Sequence, residues 1–253
     1  VKVSYSELTT GPEQTAALAS GDIQFLNAVG ATSVILSAAN GADIAIVDMY
    51  SRSPEAFMLI SAAGGPKTPA DLVGKTIGGP KGTILHELLL AYLASGGYTA
   101  ADVNFVDMGI PDASAALAGG SVDVALLAGP AAYKALSNGF QKVTDGKGHV
   151  GATIVVATTR AFADANPGLV ATFRKAHREV LAYMAAHPDE VVAMAAKETG
   201  LPESAVTDME GMYDFSADIT DADVAAMTAT VTFMVANKMI EKPVDVKSLI
   251  LPE

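Results

Sequence analysis

The stretch "GGPKGTILHELLL" (Gly78–Leu90) sets Lys81, Gly82 and Thr83 directly before an apolar helical pattern, with His86 one turn further on. A helix N-terminus presents free backbone amides and the positive end of the helix dipole, so such a junction suits an anion. Gly82 would let the backbone approach a ligand closely, Thr83 would add a hydroxyl donor, and His86 would donate from an imidazole nitrogen. An imidazole satisfied by a backbone carbonyl is the other reading of His86, and the residues alone leave both open.

Three more loops have the same small, glycine-bearing character: "TTGP" with Thr10 and Gly11, "GATS" with Ala31 and Thr32, and "AGPAAY" with Gly129 and Tyr133. Each stands between an apolar β-like run and a helical one, where open parallel sheets bind ligands. Taken singly, Gly and Ser in such loops are ordinary turn chemistry. Four at matched positions point to a shared cleft, with Tyr50 and Tyr133 placed to wall the apolar part of a ligand.

Sharper motifs fail. "GKT" at Gly74–Thr76 lacks the leading glycine of a phosphate-binding loop, since Pro69 stands there, and it precedes a strand instead of following one. His86-Glu87 has no second histidine at Leu90, and the other histidines are dispersed, so no metal site is expected. No Gly-x-Ser-x-Gly elbow occurs. Asp102, Asp107, Asp112 and Asp123 are read as solvated residues near strand ends. No cofactor is expected.

Composition narrows the class. Of 253 residues, half are apolar and 17% are charged, with a formal charge of −12, which speaks against a nucleic-acid partner. No apolar run approaches the roughly 18 residues of a membrane span. The absence of cysteine removes disulfides, thiolate nucleophiles and cysteine-ligated metals, and it fits an oxidising compartment. The chain opens at Val1 without an initiator Met or a signal peptide, so a processed or trimmed chain is expected.

The elements that must position these loops come in two series. "AALASGDIQFLNAVG" from Ala16 returns as "AALAGGSVDVALLAG" from Ala115, without a gap. Strand-like runs alternate with helical ones around both copies, which implies βαβ units and a parallel sheet in each of two lobes. Lobe one is expected over about 1–65 plus 152–253 and lobe two over 66–151, with crossovers near 57–67 and 149–158. "VKVSY" at Val1–Tyr5 is read as a strand. In the second series a strand and a long helix precede the repeated unit, so the first series looks incomplete ahead of Val1. Beyond "GATIVVATTR" the chain turns helical, and this tail is expected to cover lobe one.

At "DLVGKTIGGPKGTILHELLLAYLASGGYTAADVNFVDMGIPDASAALAGGSVDVALLAGPAAY" the sequence resembles the periplasmic solute-binding proteins of ABC importers for aliphatic sulfonates, taurine and nitrate, which share their fold with thiamine-pyrimidine binders. The resemblance runs over nearly the whole chain. It implies an α/β, two-lobed periplasmic-binding-protein fold of type II, with parallel-rich sheets, flanking helices and two crossover strands. It also implies a small anionic or zwitterionic solute held by Gly82, Thr83 and His86 with help from Thr10-Gly11 and Ala31-Thr32. The implied partner is an ABC transporter membrane permease, the implied place is the periplasm or an anchored extracellular site, and the chain is expected to act as a monomer and not as an enzyme. Sulfonate binders often carry Trp-Asp-Pro where this chain has Ala128-Gly129-Pro130, which makes that wall smaller and uncharged. Two alternatives stand beside this reading: a binder of a thiamine-precursor pyrimidine or another small organic solute, and a lyase or dehydratase on the same fold.

Overall fold

The computed structural model describes residues 1–252. The first series comprises α1 (Gly11–Ser20), β1 (Leu26–Gly30), α2 (Ala31–Ala39) and β2 (Ala45–Arg52). Then come β3 (Phe57–Ser61), β4 (Thr76–Gly79), α3 (Ile84–Ser95), β5 (Asn104–Asp107), α4 (Ile110–Ala118), β6 (Val124–Ala128), α5 (Gly129–Ser137) and β7 (Gln141–Asp145). The remainder is β8 (Thr153–Thr158), α6 (Arg160–Ala165), α7 (Pro167–Ala186), α8 (Pro188–Thr199), α9 (Glu203–Glu210), β9 (Asp214–Phe215), α10 (Asp221–Ala236) and α11 (Val246–Leu249). Local signals are used as written. Asn40-Gly41 ends α2 with Gly41 at φ +87°, and Thr220 with Asp223 forms a reciprocal capping box on α10.

The strands form two sheets, β1-β8-β2-β9 and β5-β4-β6-β3-β7. The α/β class is as expected, but parallel strand pairs are confined to β5-β4-β6, and every strand pair in the first sheet is antiparallel, with one parallel bridge from Ile46 to Ile250 beside it. The cause is the crossovers. β8 returns from the second sheet and lies between β1 and β2 in the opposite sense, and β3 enters the second sheet likewise between β6 and β7. The sheets therefore match, with β1-β8-β2 corresponding to β6-β3-β7, and the two copies of the repeated phrase are α1–β1 and α4–β6. The outward passage runs through the short turn Pro54–Ala56, ahead of the expected 57–67, because Phe57–Ser61 is already strand β3.

Val1–Tyr5 is not a strand. It joins no ladder and is exposed, with Val1 at 92% and Tyr5 at 93%. In the second sheet, β5 gains its ladder from β4; among the described residues β1 is an edge strand of the first sheet, and this segment is not paired to it.

Burial explains the layering. On the first sheet, α2 and α10 cover one face through Val34, Ile35, Met227 and Met234, while Ala163 and Val170 of α6 and α7 cover the other. Most of the tail thus covers this sheet, as expected, but one part leaves it. Its α9 packs on α5 beside the second sheet, around Tyr133, Ala205 and Met209, before β9 rejoins β2. Arg52 at the end of β2 anchors that return, gripping Asp223 through Nε and Nη2, both at 2.6 Å, and Asp214 at 3.1 Å.

Candidate ligand-binding site

In the second sheet α3 packs on one face, with Leu85 and Leu89 against Leu59 and Leu126, and α4 and α5 pack on the other against Met58, Ile60 and Leu127. The neighbouring parallel strands β4 and β6 thus send their helices to opposite sides. That is the switch point where open sheets bind ligands, beyond the strands' carboxyl ends. One rim is the loop into α3 and the other is the start of α5.

At the first rim, Thr83 is the N-cap of α3. Its hydroxyl donates to the Pro80 carbonyl at 2.8 Å and accepts the His86 amide, so its proton is held within the loop. Gly82 lies at φ +73°, and a Cβ there would stand 2.7 Å from Leu36 of α2. The Gly82 amide donates to His86 Nδ1 at 3.4 Å, which leaves Nε2–H as the imidazole's donor. His86 is 8% exposed and tilts against Phe105. Burial, helped by Lys81 and opposed by Asp107, lowers its pKa to about 4, so the ring is neutral near pH 7. Lys81 itself is exposed, and its amide donates to Asp107.

The first sheet's loops close onto this rim. Ser33 of α2 donates to the Gly82 carbonyl at 2.9 Å, and a Cβ on Gly11 would fall 2.2 Å from the Ser33 hydroxyl. The N-termini of α1, α2 and α3 therefore meet, bringing Gly11, Ala31, Thr32, Gly82, Thr83 and His86 together. Thr10 belongs to this end of α1, but its side chain is engaged in a capping box with Glu13. Thr32 is buried with its hydroxyl turned to Glu87 of α3 at 2.6 Å, and Thr230 of α10 reaches the other carboxylate oxygen at 2.9 Å. Burial raises the Glu87 pKa, and the two threonine hydrogen bonds oppose the rise.

The second rim holds Gly129, the first residue of α5, at φ +51° with no side-chain cap on the helix. Tyr213 comes against it: a Cβ on Gly129 would be 3.0 Å from the tyrosine hydroxyl. Tyr213 stacks on Phe215 at 5.4 Å, and Tyr50 meets Phe215 edge-on at 5.8 Å. Burial raises the pKa of both phenols, and Tyr50 adds to the rise at Tyr213. Tyr50 and Gly129 thus share an aromatic wall through Tyr213. Tyr133 does not join it, because its ring packs on α9 and its hydroxyl points to Asp208. Sequence reasoning missed Tyr213; the alternating "MYDF" was the available signal. Two open grooves of about 420 and 440 Å³ are present, one along α1–α2 that touches the rim at Ser33 and Leu36, the other between α1 and α6.

The family described as NMT1/THI5 like matches residues 1–191. The chain belongs to the NMT1/THI5-like family. A relative in Escherichia coli (strain K12), named as an aliphatic sulfonates-binding protein, is 29% identical over 98% of this chain and 79% of its own length. The taurine-binding periplasmic protein of the same organism is 30% identical over 81% of this chain and 66% of its own. Among solved structures, the alkanesulfonate-binding protein SsuA from Xanthomonas axonopodis pv. citri, bound to MOPS, superposes with a TM-score of 0.90 at 23% identity, covering 99% of this chain and 88% of that one. The desulfurization enzyme DSZB shares the fold at a TM-score of 0.68 and 19% identity, over 90% of this chain and 84% of that one. No helix among the described residues is long and apolar enough to cross a membrane.

Proposed function

We propose that this NMT1/THI5-like chain is the extracytoplasmic solute-binding component of an ABC importer, taking a small sulfonate-class anion or zwitterion into the crevice at the switch point. The observation that carries the reading is His86. Its Nδ1 is occupied by the Gly82 amide, and the ring stays neutral, so it offers a single N–H donor beside the first turn of α3. The relatives' sulfonate and taurine specificities support the same class. A lobe on each sheet, with β3 assigned to the second, would close over the solute about the passages at 53–56 and 146–152. A membrane permease as partner, a monomeric state and a periplasmic or membrane-anchored location belong to this reading.

The enzyme alternative needs a paired general acid and base in the crevice. Of the titratable side chains at the α3 rim, Glu87 is held by two threonines and Asp107 by the Lys81 amide. Binding is therefore the better reading, although DSZB carries the same fold. A thermal-shift panel of sulfonates, nitrate, carboxylates and pyrimidines tests it. A ligand at 100 times its Kd adds about 2.7 kcal/mol of stability. Stabilisation by sulfonates supports the proposal; selective stabilisation by pyrimidines, or turnover of a hit seen by mass spectrometry, overturns it.

A further inference from the structure

We infer that Tyr213 sets the size of solute the crevice admits, acting from the tail of the chain on a site built by the second sheet. The inference rests on the sulfonate reading above.

Three contacts hold Tyr213 in that position. Met212, its neighbour, packs into the apolar cluster under α4 and α5, which fixes the backbone to the second sheet's side. Phe215, two residues on, is in β9, paired to Ser51 of β2, which fixes it to the first sheet. Between these anchors the Tyr213 ring lies almost parallel to Phe215, at an interplanar angle of 8°, and its hydroxyl ends against Gly129. Glycine suits this arrangement. With φ at +51° and a Cβ that would stand 3.0 Å from the phenol oxygen, a side chain at 129 would be strained and would press the hydroxyl back by a few tenths of an ångström.

The consequence concerns volume. The loop at Ala128–Pro130 is small and leaves room at the start of α5; Tyr213 fills that room with an aromatic ring from the other sheet's side. A solute anchored at the α3 rim and extending towards the start of α5 then meets the ring. Tyr50, edge-on to Phe215, backs the wall but does not reach Gly129 in its place. Tyr213 is thus a size gate whose shape depends on an anchored aromatic pair, and hydroxyl chemistry is secondary to the ring.

Calorimetry with methanesulfonate and MOPS as probes tests this on wild type, Tyr213→Ala and Tyr213→Phe. Tyr213→Ala is expected to raise the affinity for MOPS relative to methanesulfonate by about tenfold or more, the scale on which pockets discriminate by single carbon groups. Tyr213→Phe is expected to keep the wild-type ratio within about twofold. Circular dichroism establishes folding, and Tyr213→Leu, which keeps apolar cover on Phe215, replaces the alanine variant if that one does not fold. A wild type that binds while the truncated variant keeps the same ratio overturns the inference alone. A wild type that binds neither probe overturns the sulfonate reading, and the size gate with it.

Discussion

The Thr32 hydroxyl donates to the Glu87 carboxylate at 2.6 Å, joining the N-terminus of a helix on the first sheet to the first turns of a helix on the second. Thr230 completes the clasp from α10. Truncation would leave two hydroxyls without their acceptor in a site only 4% exposed at Glu87. Orphaned buried polar groups cost about 1–3 kcal/mol each. Glu87→Ala is expected to lower the stability by at least about 2 kcal/mol, and Glu87→Gln, which retains an acceptor, by less. Urea unfolding of the two variants checks the order.

The same carboxyl gives a pH signature. Its folded pKa lies above the unfolded one, so the folded state holds the proton more tightly and the associated stability is present below the unfolded value. It is lost as pH rises from about 4.5 through the raised value. Comparing urea midpoints of wild type and Glu87→Gln between pH 4 and 8 should show this decline in wild type only.

His86 works in the opposite direction. Its folded pKa of about 4 lies below the unfolded 6.5, so its contribution is present above 6.5 and is lost as pH falls towards 4. Because the ring is already neutral at pH 7, solute affinity should stay within about twofold from pH 8 to 5.5, with no His86 titration in that window. Calorimetry across the window decides it; a steep gain towards pH 5.5 would mean the site binds with a charged imidazole.

Removing that donor should matter for binding. A hydrogen bond to a charged group is worth about 1.5–3 kcal/mol, so His86→Ala is expected to weaken sulfonate binding by roughly tenfold to a hundredfold. An unchanged affinity would leave the anion to the α3 amides alone.

Gly11 tests the meeting of the helix ends. Gly11→Ala puts a methyl 2.2 Å from the Ser33 hydroxyl, whose bond to the Gly82 carbonyl lies next to His86. Overpacking of this kind costs about 1–3 kcal/mol. A lower melting temperature together with weaker solute binding is the expected pair of results.

The loops and their helices were legible because their signals are local. Gly41 closing α2, Thr83 before α3 and the Thr220–Asp223 box are each written within a few residues. The repeated phrase correctly foretold matched units in two sheets. Periodicity could not show that β3 and β8 run against their neighbours, because strand direction is set by where the chain arrives from and a buried strand reads the same either way. Val1–Tyr5 has strand composition, yet a strand needs a neighbour as well as a pattern. Tyr213 escaped for a related reason: its place beside Gly129 depends on two anchors far apart in the fold. Thr32 and Thr83 were rightly placed at helix starts, but which partner each hydroxyl would take is decided by packing.

The return of the tail from α9 to β9 has a mechanical meaning. In the closure proposed above, two crossovers alone would let the sheets swing like a door on a pair of hinges. Here a third length of chain spans the same gap away from them, because α9 is seated on α5 while β9 is sewn to β2. Only Gly211, Met212 and Tyr213 lie between these fixed points. Three residues reach at most about 11 Å when fully extended. In that motion the door would be on a chain, its gape at that edge limited to this slack until Met212 and α9 lift from the second sheet's side.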